Sequence, residues 1–493
     1  MGKFVTMYKV ILSTLFCLGF ITVNALTVNF HHGLFMTSDR ETYVETYMLF
    51  DGSDMRYVSV ADSMYQAKIE LTYVFEQNGK VIDFSKTYVN SPITNDTIEM
   101  LSDFTDQQRF VLPPGKYDLL IMLKDVNHPT DTVRSVQSIV VDLSPNDAGF
   151  SDIYFIERTS PTVKPNMYTR NGLDYFPRLS SFYPPAANEI WFYAELYNTS
   201  LVFGDDTPYL ITTEILNPET GDVVDQYRSL KRMKSAPVQG LAQKLNIANL
   251  PTGSYVLKLE ARNKDNVAFA SQSRPFKRYS DNKMDLSTVD VKKTFVNRMS
   301  EDSLRSMTYC LIWQATDQET RYIEENWKTG DTTDLARFFY EFWYERNPLD
   351  TRLEWARYHQ NIKHVSYRYS NSTMHGCQTD RGRVYLKYGE PNSRSEVRNE
   401  AHSYPYEIWH YYKVPGKSNA KFFFLDNRRM NEYILGHSNV MGEPTDRLWY
   451  TRVVRETEGG SQSTFEHQQE AVIQERDPYS HGSRALDYWN NPR

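Results

Sequence analysis

The sequence predicts a multidomain chain, two tandem all-β, immunoglobulin-like sandwiches followed by an α+β domain whose helices precede a small antiparallel sheet. Three observations predict it. Strand-like apolar alternation runs to about residue 282, with Gly, Pro, Asn and Asp clusters between the strands. A pair of turn motifs recurs once within that stretch. Beyond it the apolar residues switch to three- and four-residue spacing, the period of helices. The length of 493 residues fits, because about 150 residues per domain gives roughly three domains.

Composition narrows the function classes. Hydrophobic residues make up 40% and charged residues 24%, which is globular and argues against wholesale disorder. A net charge of −7 removes the broad basic footprint of a nucleic-acid binder, so no nucleic-acid partner is expected. Aromatic residues reach 14%, led by 35 Tyr, and Tyr suits half-wet surfaces and interfaces as well as cores.

Residues 1–25 read as a secretory signal peptide. Lys3 and Lys9 give a positive start, Val10 to Ile21 an apolar run, and Val23-Asn24-Ala25 a cleavage context. Phe16 ahead of Cys17 argues against a lipid-anchored cysteine, which follows a small residue. No later stretch approaches the roughly 18 apolar residues of a membrane span. The expectation is an exported, soluble protein, or one held to a membrane only through a partner, with no transmembrane span of its own.

Residues 26–145 and 146–282 read as the two sandwiches. Strand runs include Tyr43 to Phe50, Lys68 to Phe75, Tyr117 to Leu123, Ile190 to Tyr197, Tyr209 to Leu216 and Tyr255 to Ala261. Leu112-Pro-Pro-Gly-Lys-Tyr-Asp-Leu recurs as Leu250-Pro-Thr-Gly-Ser-Tyr-Val-Leu, and the earlier polar turn at Gly79 recurs at Gly221. The Pro-x-Gly stop turns the chain, and Tyr and Leu at alternate positions then enter the core. A loop rich in Pro, Asn and Arg, Thr159 to Pro185, sits early in the second unit. His31 and His32 adjoin the mature N-terminus, where an exposed pair is expected.

Residues 283–455 read as helices followed by strands. Leu304, Met307, Leu311, Ile312 and Ala315 fall at three- and four-residue spacings; Thr316 with Glu319 resembles a capping box. Leu335, Phe338, Phe339, Phe342 and Trp343 form an apolar stripe ended by Pro348, and Trp355, Tyr358, Ile362, Val365 and Tyr369 a second. At that spacing aromatic stripes are core. After Gly376, the alternation of Val384, Leu386 and Tyr388 with Arg383, Tyr385 and Lys387 reads as a return to β. Further strands are expected at Tyr406 to Tyr412, Lys421 to Leu425 and Glu432 to Leu435. Residues 456–493 read as a polar, flexible tail whose aromatic end, Leu486 to Arg493, could serve as a docking segment but is expected to fray.

The string Gly376-Cys377-Gln-Thr379-Asp380-Arg381-Gly382-Arg-Val-Tyr-Leu-Lys-Tyr388-Gly389-Glu-Pro391 resembles the motif of the GWxTD-domain proteins, exported proteins of Bacteroidetes and related bacteria. The surroundings agree over roughly residues 285–452, with Phe342-Trp343 to Pro348 upstream and Glu407, Trp409 and Phe422 to Asp426 downstream. Cys377 stands where the family's naming Trp would be, and a bridge to Cys310 is a candidate substitute for its packing. The resemblance implies an envelope location, in the periplasm, associated with the outer membrane or at the cell surface, and a fold, with no established reaction.

Read bottom-up, the motif is architecture. Gly376 is expected at positive φ, Thr379 and Asp380 on nearby amides, Arg381 and Arg383 paired among Asp380, Glu390 and Glu407, and Gly389 with Pro391 as a strand stop. The whole then makes one helix-to-strand turn. Two thiols in an exported chain, Cys310 and Cys377, either form a disulfide or stay buried and reduced. The best enzymatic reading takes Cys377 as nucleophile with His364, His375, His402 or His410 as base, although nothing in the spacing unites them. Motifs for metals, phosphate loops and serine nucleophiles are missing, and no catalytic residue, metal or cofactor is assigned. Asp62-Ser63-Met64, Asp96-Thr97-Ile98, Asp131-Thr132-Val133 and Asp302-Ser303-Leu304 look like the O-glycan acceptor pattern of exported Bacteroidetes proteins. The expectation is a non-enzymatic structural or interaction subunit of a bacterial envelope assembly, partnered by other envelope proteins. An envelope hydrolase acting on glycan or peptide, or a carbohydrate-binding module, is the alternative.

Overall fold

A computed structural model describes residues 26–130, 132–282, 284–400, 403–454 and 484–491. The signal-peptide reading of 1–25, His402 and most of the expected tail therefore lie outside the described residues. The chain divides into two compact units, one up to Met284 and one from Asp285 onward.

The first unit opens with strands β1 (Val28–Met36), β2 (Thr42–Phe50), β3 (Lys68–Gln77), β4 (Lys80–Asn90), β5 (Phe104–Val111), β6 (Gly115–Asp125) and β7 (Thr132–Val141). They make two antiparallel sheets, ordered β1-β2-β5 and β4-β3-β6-β7. That is the strand order of an immunoglobulin-like sandwich of the fibronectin III kind. Ile69, Leu71, Tyr73 and Phe75 of β3 alternate inward onto Val44, Met48 and Phe50 of β2, so one face of each strand is removed from water.

Strands β8 (Tyr154–Pro161), β9 (Glu189–Tyr197), β10 (Pro208–Leu216), β11 (Ser229–Lys234), β12 (Val238–Asn246), β13 (Gly253–Arg262) and β14 (Ala268–Arg278) repeat the plan. β9 pairs with β8 and β12, and β11-β10-β13-β14 form the facing sheet around a second core. The repeated turn motif acts identically in both copies. Tyr117 donates to the Pro113 carbonyl at 2.7 Å and Tyr255 to the Pro251 carbonyl at 3.0 Å, each pinning the strand start back onto its own turn. Gly79 and Gly221 both have φ in the left-handed region, 75° and 73°, where a side chain would strain the turn.

The Thr159–Pro185 loop is more ordered than its composition suggested. Leu173–Pro177 pairs with β8 and with Thr169–Arg170, and the resulting hairpin packs on the first sandwich. Arg170 reaches the buried Glu45 carboxylate at 2.9 Å, Arg109 meets the same oxygen at 2.7 Å, and Tyr47 donates to the other oxygen. Phe35, Tyr43, Tyr154, Ile156, Tyr175 and Tyr193 surround this network with apolar ring surface. Asp152 adds a second tie, accepting from Leu34 N and Gln272 Nε2 at 2.8 Å each. The two sandwiches are thus joined by a continuous packed layer. The expectation of an exposed histidine pair fails here. His31 and His32 lie in β1, where burial first and the nearby Arg274 charge second push both down to about 4.

The second unit holds helices α1 (Glu301–Cys310), α2 (Asp317–Asn326), α3 (Thr332–Arg346), α4 (Thr351–Tyr369) and α5 (Asp380–Tyr388). Strands β15 (Ser393–Val397), β16 (Tyr406–Val414), β17 (Lys417–Leu425) and β18 (Ile434–Ser438) follow in one antiparallel sheet. Thr316 and Glu319 form the capping box of α2, each bonding the other's backbone amide. One expectation is overturned: residues 383–388 are helix, not strand. Arg381, Val384, Tyr385 and Tyr388 recur at helical spacing, and the buried Arg381 belongs to the inward stripe that a polar reading of arginine conceals. The chain end is a second correction to the flexible tail. Helix α6 (Ala485–Asn490) packs on the sheet, with Trp489 4.8 Å from His437 and 5.1 Å from Trp449. No helix among the described residues is long and apolar enough to cross a membrane.

Replacing Arg170 with Met leaves Glu45 buried with Arg109 as its single cationic partner. The expected loss is about 3 kcal/mol of unfolding free energy for the first unit, read from urea denaturation, because an underpaired buried charge keeps its desolvation cost.

Candidate functional site

The recognisable string forms a tight link between α4 and α5. Gly376–Gln378 is a single 3-10 turn, and Thr379 caps α5, its Oγ1 accepting from Gly382 N at 3.1 Å while donating to the Gly376 carbonyl at 2.8 Å. The expectation of a helix-to-strand turn is corrected accordingly: both flanking elements are helices. Gly376 is not at positive φ either. Its role is steric, because a Cβ there would lie 2.0 Å from the Val365 carbonyl oxygen of α4. Gly382 is constrained in the same way, 1.8 Å from the Gly376 oxygen. These two absent side chains let the turn lie directly on α4. Gly389 does sit at positive φ, 85°, ending α5, and its carbonyl accepts from Tyr411 at 2.9 Å; Pro391 behind it is buried.

Cys377 lies on the turn and is bonded to Cys310 at the end of α1, with Cα atoms 5.7 Å apart across 67 residues of sequence. Neighbouring carbonyls are satisfied: Trp313 Nε1 donates to Cys377 O at 2.8 Å and Tyr358 to Cys310 O at 2.7 Å. A sulfur in this bond is not a thiolate, so the nucleophile reading loses its attacking atom. The histidines considered as bases therefore have no thiolate to serve: His364 stacks on Tyr385 at 4.7 Å, His410 meets Asn419 at 2.7 Å, His375 lines the groove beside Cys377, and His402 lies outside the described residues.

The charged members are tied to the sheet, Arg381 buried and Asp380 about 35% exposed. Asp380 accepts from Leu435 N of β18 at 2.7 Å, a long-range tie rather than the local turn bond expected. Arg381 meets Glu407 of β16 at 2.6 Å with both side chains about 6% exposed. Glu407's other oxygen accepts from Trp409 Nε1 at 2.8 Å, so both carboxylate oxygens are used. The Arg381 guanidinium also lies over the Tyr433 ring at 3.9 Å, while its Nε has no hydrogen-bond partner. Trp409 is fully buried between Tyr369, Phe424 and the Arg394 guanidinium.

One organising residue escaped the sequence reading. Glu443, in the loop after β18, gathers Arg383 at 2.7 Å, Lys387 at 2.8 Å and Tyr388 at 2.7 Å along one side of α5. Burial opposes its ionisation, but the donated hydrogen bonds and the Arg383 charge win and hold it at about 2. Its partners on α5 were visible in sequence; a lone glutamate some 55 residues later carries no local signal. Beside the motif lies a cleft of about 190 Å³ between Thr379, Asp380, Arg381, Asn431, Tyr433 and Ile434. A shallower groove of about 320 Å³, with Tyr309 and Trp327 in its wall, borders Cys377. Among the described residues, no group of three or more His, Cys, Asp or Glu is placed to hold a metal. Ser63, Thr97, Thr132 and Ser303 of the acceptor-like triplets are all exposed, and the Ser303 hydroxyl also bonds Ser300 at the start of α1.

Two outcomes follow from this geometry. Gly376→Ala should cost more than ~3 kcal/mol, since the clash is with backbone, whereas Thr379→Ala should cost about 1 kcal/mol for a lost cap; thermal unfolding of both variants measures the order. Glu443 is depressed from 4.5, so its contribution is complete above that pH and is lost as pH falls toward about 2. Glu443→Gln should therefore flatten the fall in stability between those pH values, by about 3 kcal/mol relative to the parent chain in urea titrations at stepped pH.

No protein-family model matches the chain, and no curated protein matches it. Among solved structures it is similar in part to fibronectin(III)-like modules of Clostridium thermocellum CbhA, at 11% identity and TM-score 0.13, over 49% of this chain and 86% of that one. A glycosyl hydrolase family 2 member from Bacteroides cellulosilyticus matches at 8% identity and TM-score 0.19, over 47% of this chain. Bacteroides uniformis beta-glucuronidase 2 matches at 10% identity and TM-score 0.17, also over 47%. The chain spans 26% of the length of each of these two hydrolases. Likenesses this low bear on no activity, and the sandwich assignment rests on the strand order itself.

Proposed function

We propose that this protein is a non-enzymatic structural or interaction subunit of an exported bacterial envelope assembly, and that its second unit is a GWxTD-type domain. The supporting observation is how the motif spends its polar groups. Thr379, Asp380, Arg381, Glu407 and Trp409 bond to one another and to the backbone of β18 and α5, inside a disulfide-bonded scaffold. Groups held this way brace a fold; they are not poised to exchange protons with a substrate. The bonded cysteine pair fits an oxidising compartment, and the charged-then-apolar start of the chain fits export. In this reading Cys377, in the place of the family's Trp, fixes the turn covalently where the indole would fix it by packing. In the same reading the sandwiches present aromatic surface to partners.

The test is purification from native envelopes in mild detergent at endogenous abundance, followed by identification and quantification of co-eluting proteins. Stoichiometric recovery with other envelope proteins is expected. Recovery free of any other envelope protein overturns the subunit reading.

A further inference from the structure

The solvent face of the first sandwich's β4-β3-β6-β7 sheet carries an ordered pattern. Registers align Phe84, Val74, Leu120 and Val136 as one apolar row straight across all four strands. Phe84 is 68% exposed and Val136 59% exposed at the row's two ends. On one side of it the next outward row is Lys86, Thr72, Met122 and Arg134, with a cation at each edge. On the other side the central positions are Glu76 and Asp118, both acidic. An exposed apolar row continuous across four strands is a candidate interaction surface rather than scattered surface apolar residues.

We propose that this face pairs with the same face of a second copy of the chain. Charge placement chooses the partner and the symmetry axis. A two-fold axis running along the apolar row lays each row on itself, Phe84 on Phe84 and Val136 on Val136, and carries the basic row of one copy over the acidic row of the other. Arg134 is then offset sideways by one strand spacing, about 4.8 Å, from the partner's Asp118 across the ~10 Å between stacked sheets, a span that a long side chain bridges. Lys86, which already meets Glu70 at 2.9 Å, has the same sideways offset from the partner's Glu76. An axis along the strands would instead set cations against cations. Isologous pairing is the arrangement such a self-complementary patch allows. The twist of both sheets splays the corners, so the three central rows carry the contact. A face this size falls below the ~800 Å² per partner of a stable interface, so association is reversible and concentration-dependent.

Sedimentation equilibrium of the full exported chain, from low micromolar to ~100 µM, tests this. A monomer–dimer equilibrium is expected, with Phe84→Glu shifting the dissociation constant up by more than roughly tenfold while leaving thermal unfolding unchanged. Asp118→Arg and Arg134→Asp should each weaken pairing, and the double variant should restore it, because the exchanged charges meet again across the axis. A chain that stays monomeric throughout, a dimer indifferent to Phe84→Glu, or a double variant no better than either single one overturns the proposal. The charge-exchange series decides the matter even if Phe84→Glu fails to fold.

Discussion

The second unit depends on one buried carboxylate. Glu407 sits on the central strand β16, takes Arg381 from helix α5 on one oxygen and Trp409 from its own strand on the other. A charge removed from water is tolerable only when every lone pair is answered, and here the answer comes from the helix that must lie on the sheet. The pair therefore sets where α5 rests, and that position brings Asp380 to the Leu435 amide and aligns Arg383, Lys387 and Tyr388 for Glu443. Tyr433 and Tyr369 close around the guanidinium with ring faces rather than further acceptors.

Behind that contact is a limit on volume. The 3-10 turn at Gly376 lies against the α4 backbone with no room for a Cβ, and the disulfide from Cys377 to α1 holds the turn from the other side. Closing a loop of 67 residues restricts the unfolded chain substantially, by roughly 4 kcal/mol in the chain-entropy account. Steric necessity and covalent linkage thus act on the same three residues, and the helix cap at Thr379 completes the link. The result is a rigid corner whose polar atoms are turned inward.

The first unit solves a different problem with related chemistry. Two sandwiches of one plan could have hung as independent beads; instead the hairpin from the Pro- and Arg-rich loop crosses to the first sandwich and places Arg170 against Glu45. Tyr193 and Tyr197 donate to Glu195 within the same layer, so the joint is made of satisfied polar groups set among aromatic rings. That arrangement gives part of the surplus of tyrosine a structural use, since Tyr47, Tyr193 and Tyr197 each bury a ring while the hydroxyl answers a carboxylate.

Local chemistry made much of this legible. Alternating β-branched and aromatic residues, the repeated Pro-x-Gly-x-Tyr turn and the Thr316–Glu319 cap depend on neighbours in sequence, so strands, tandem repeat and helix start can be read directly. The α5 helix was misread because Arg381 and Gly382 are buried, and burial of an arginine is decided by a glutamate on a distant strand. The inward turn of His31 and the ordering of the Thr159–Pro185 loop likewise depend on the facing sandwich, and the docking of Trp489 on its contacts with the sheet. By itself the sequence determined most of the elements and their order, α5 and the chain end excepted, because dihedral preference and apolar period are short-range. Only the tertiary structure decided which charges pair, which glycines are steric necessities and where the chain end rests, because those depend on distances between residues far apart in sequence.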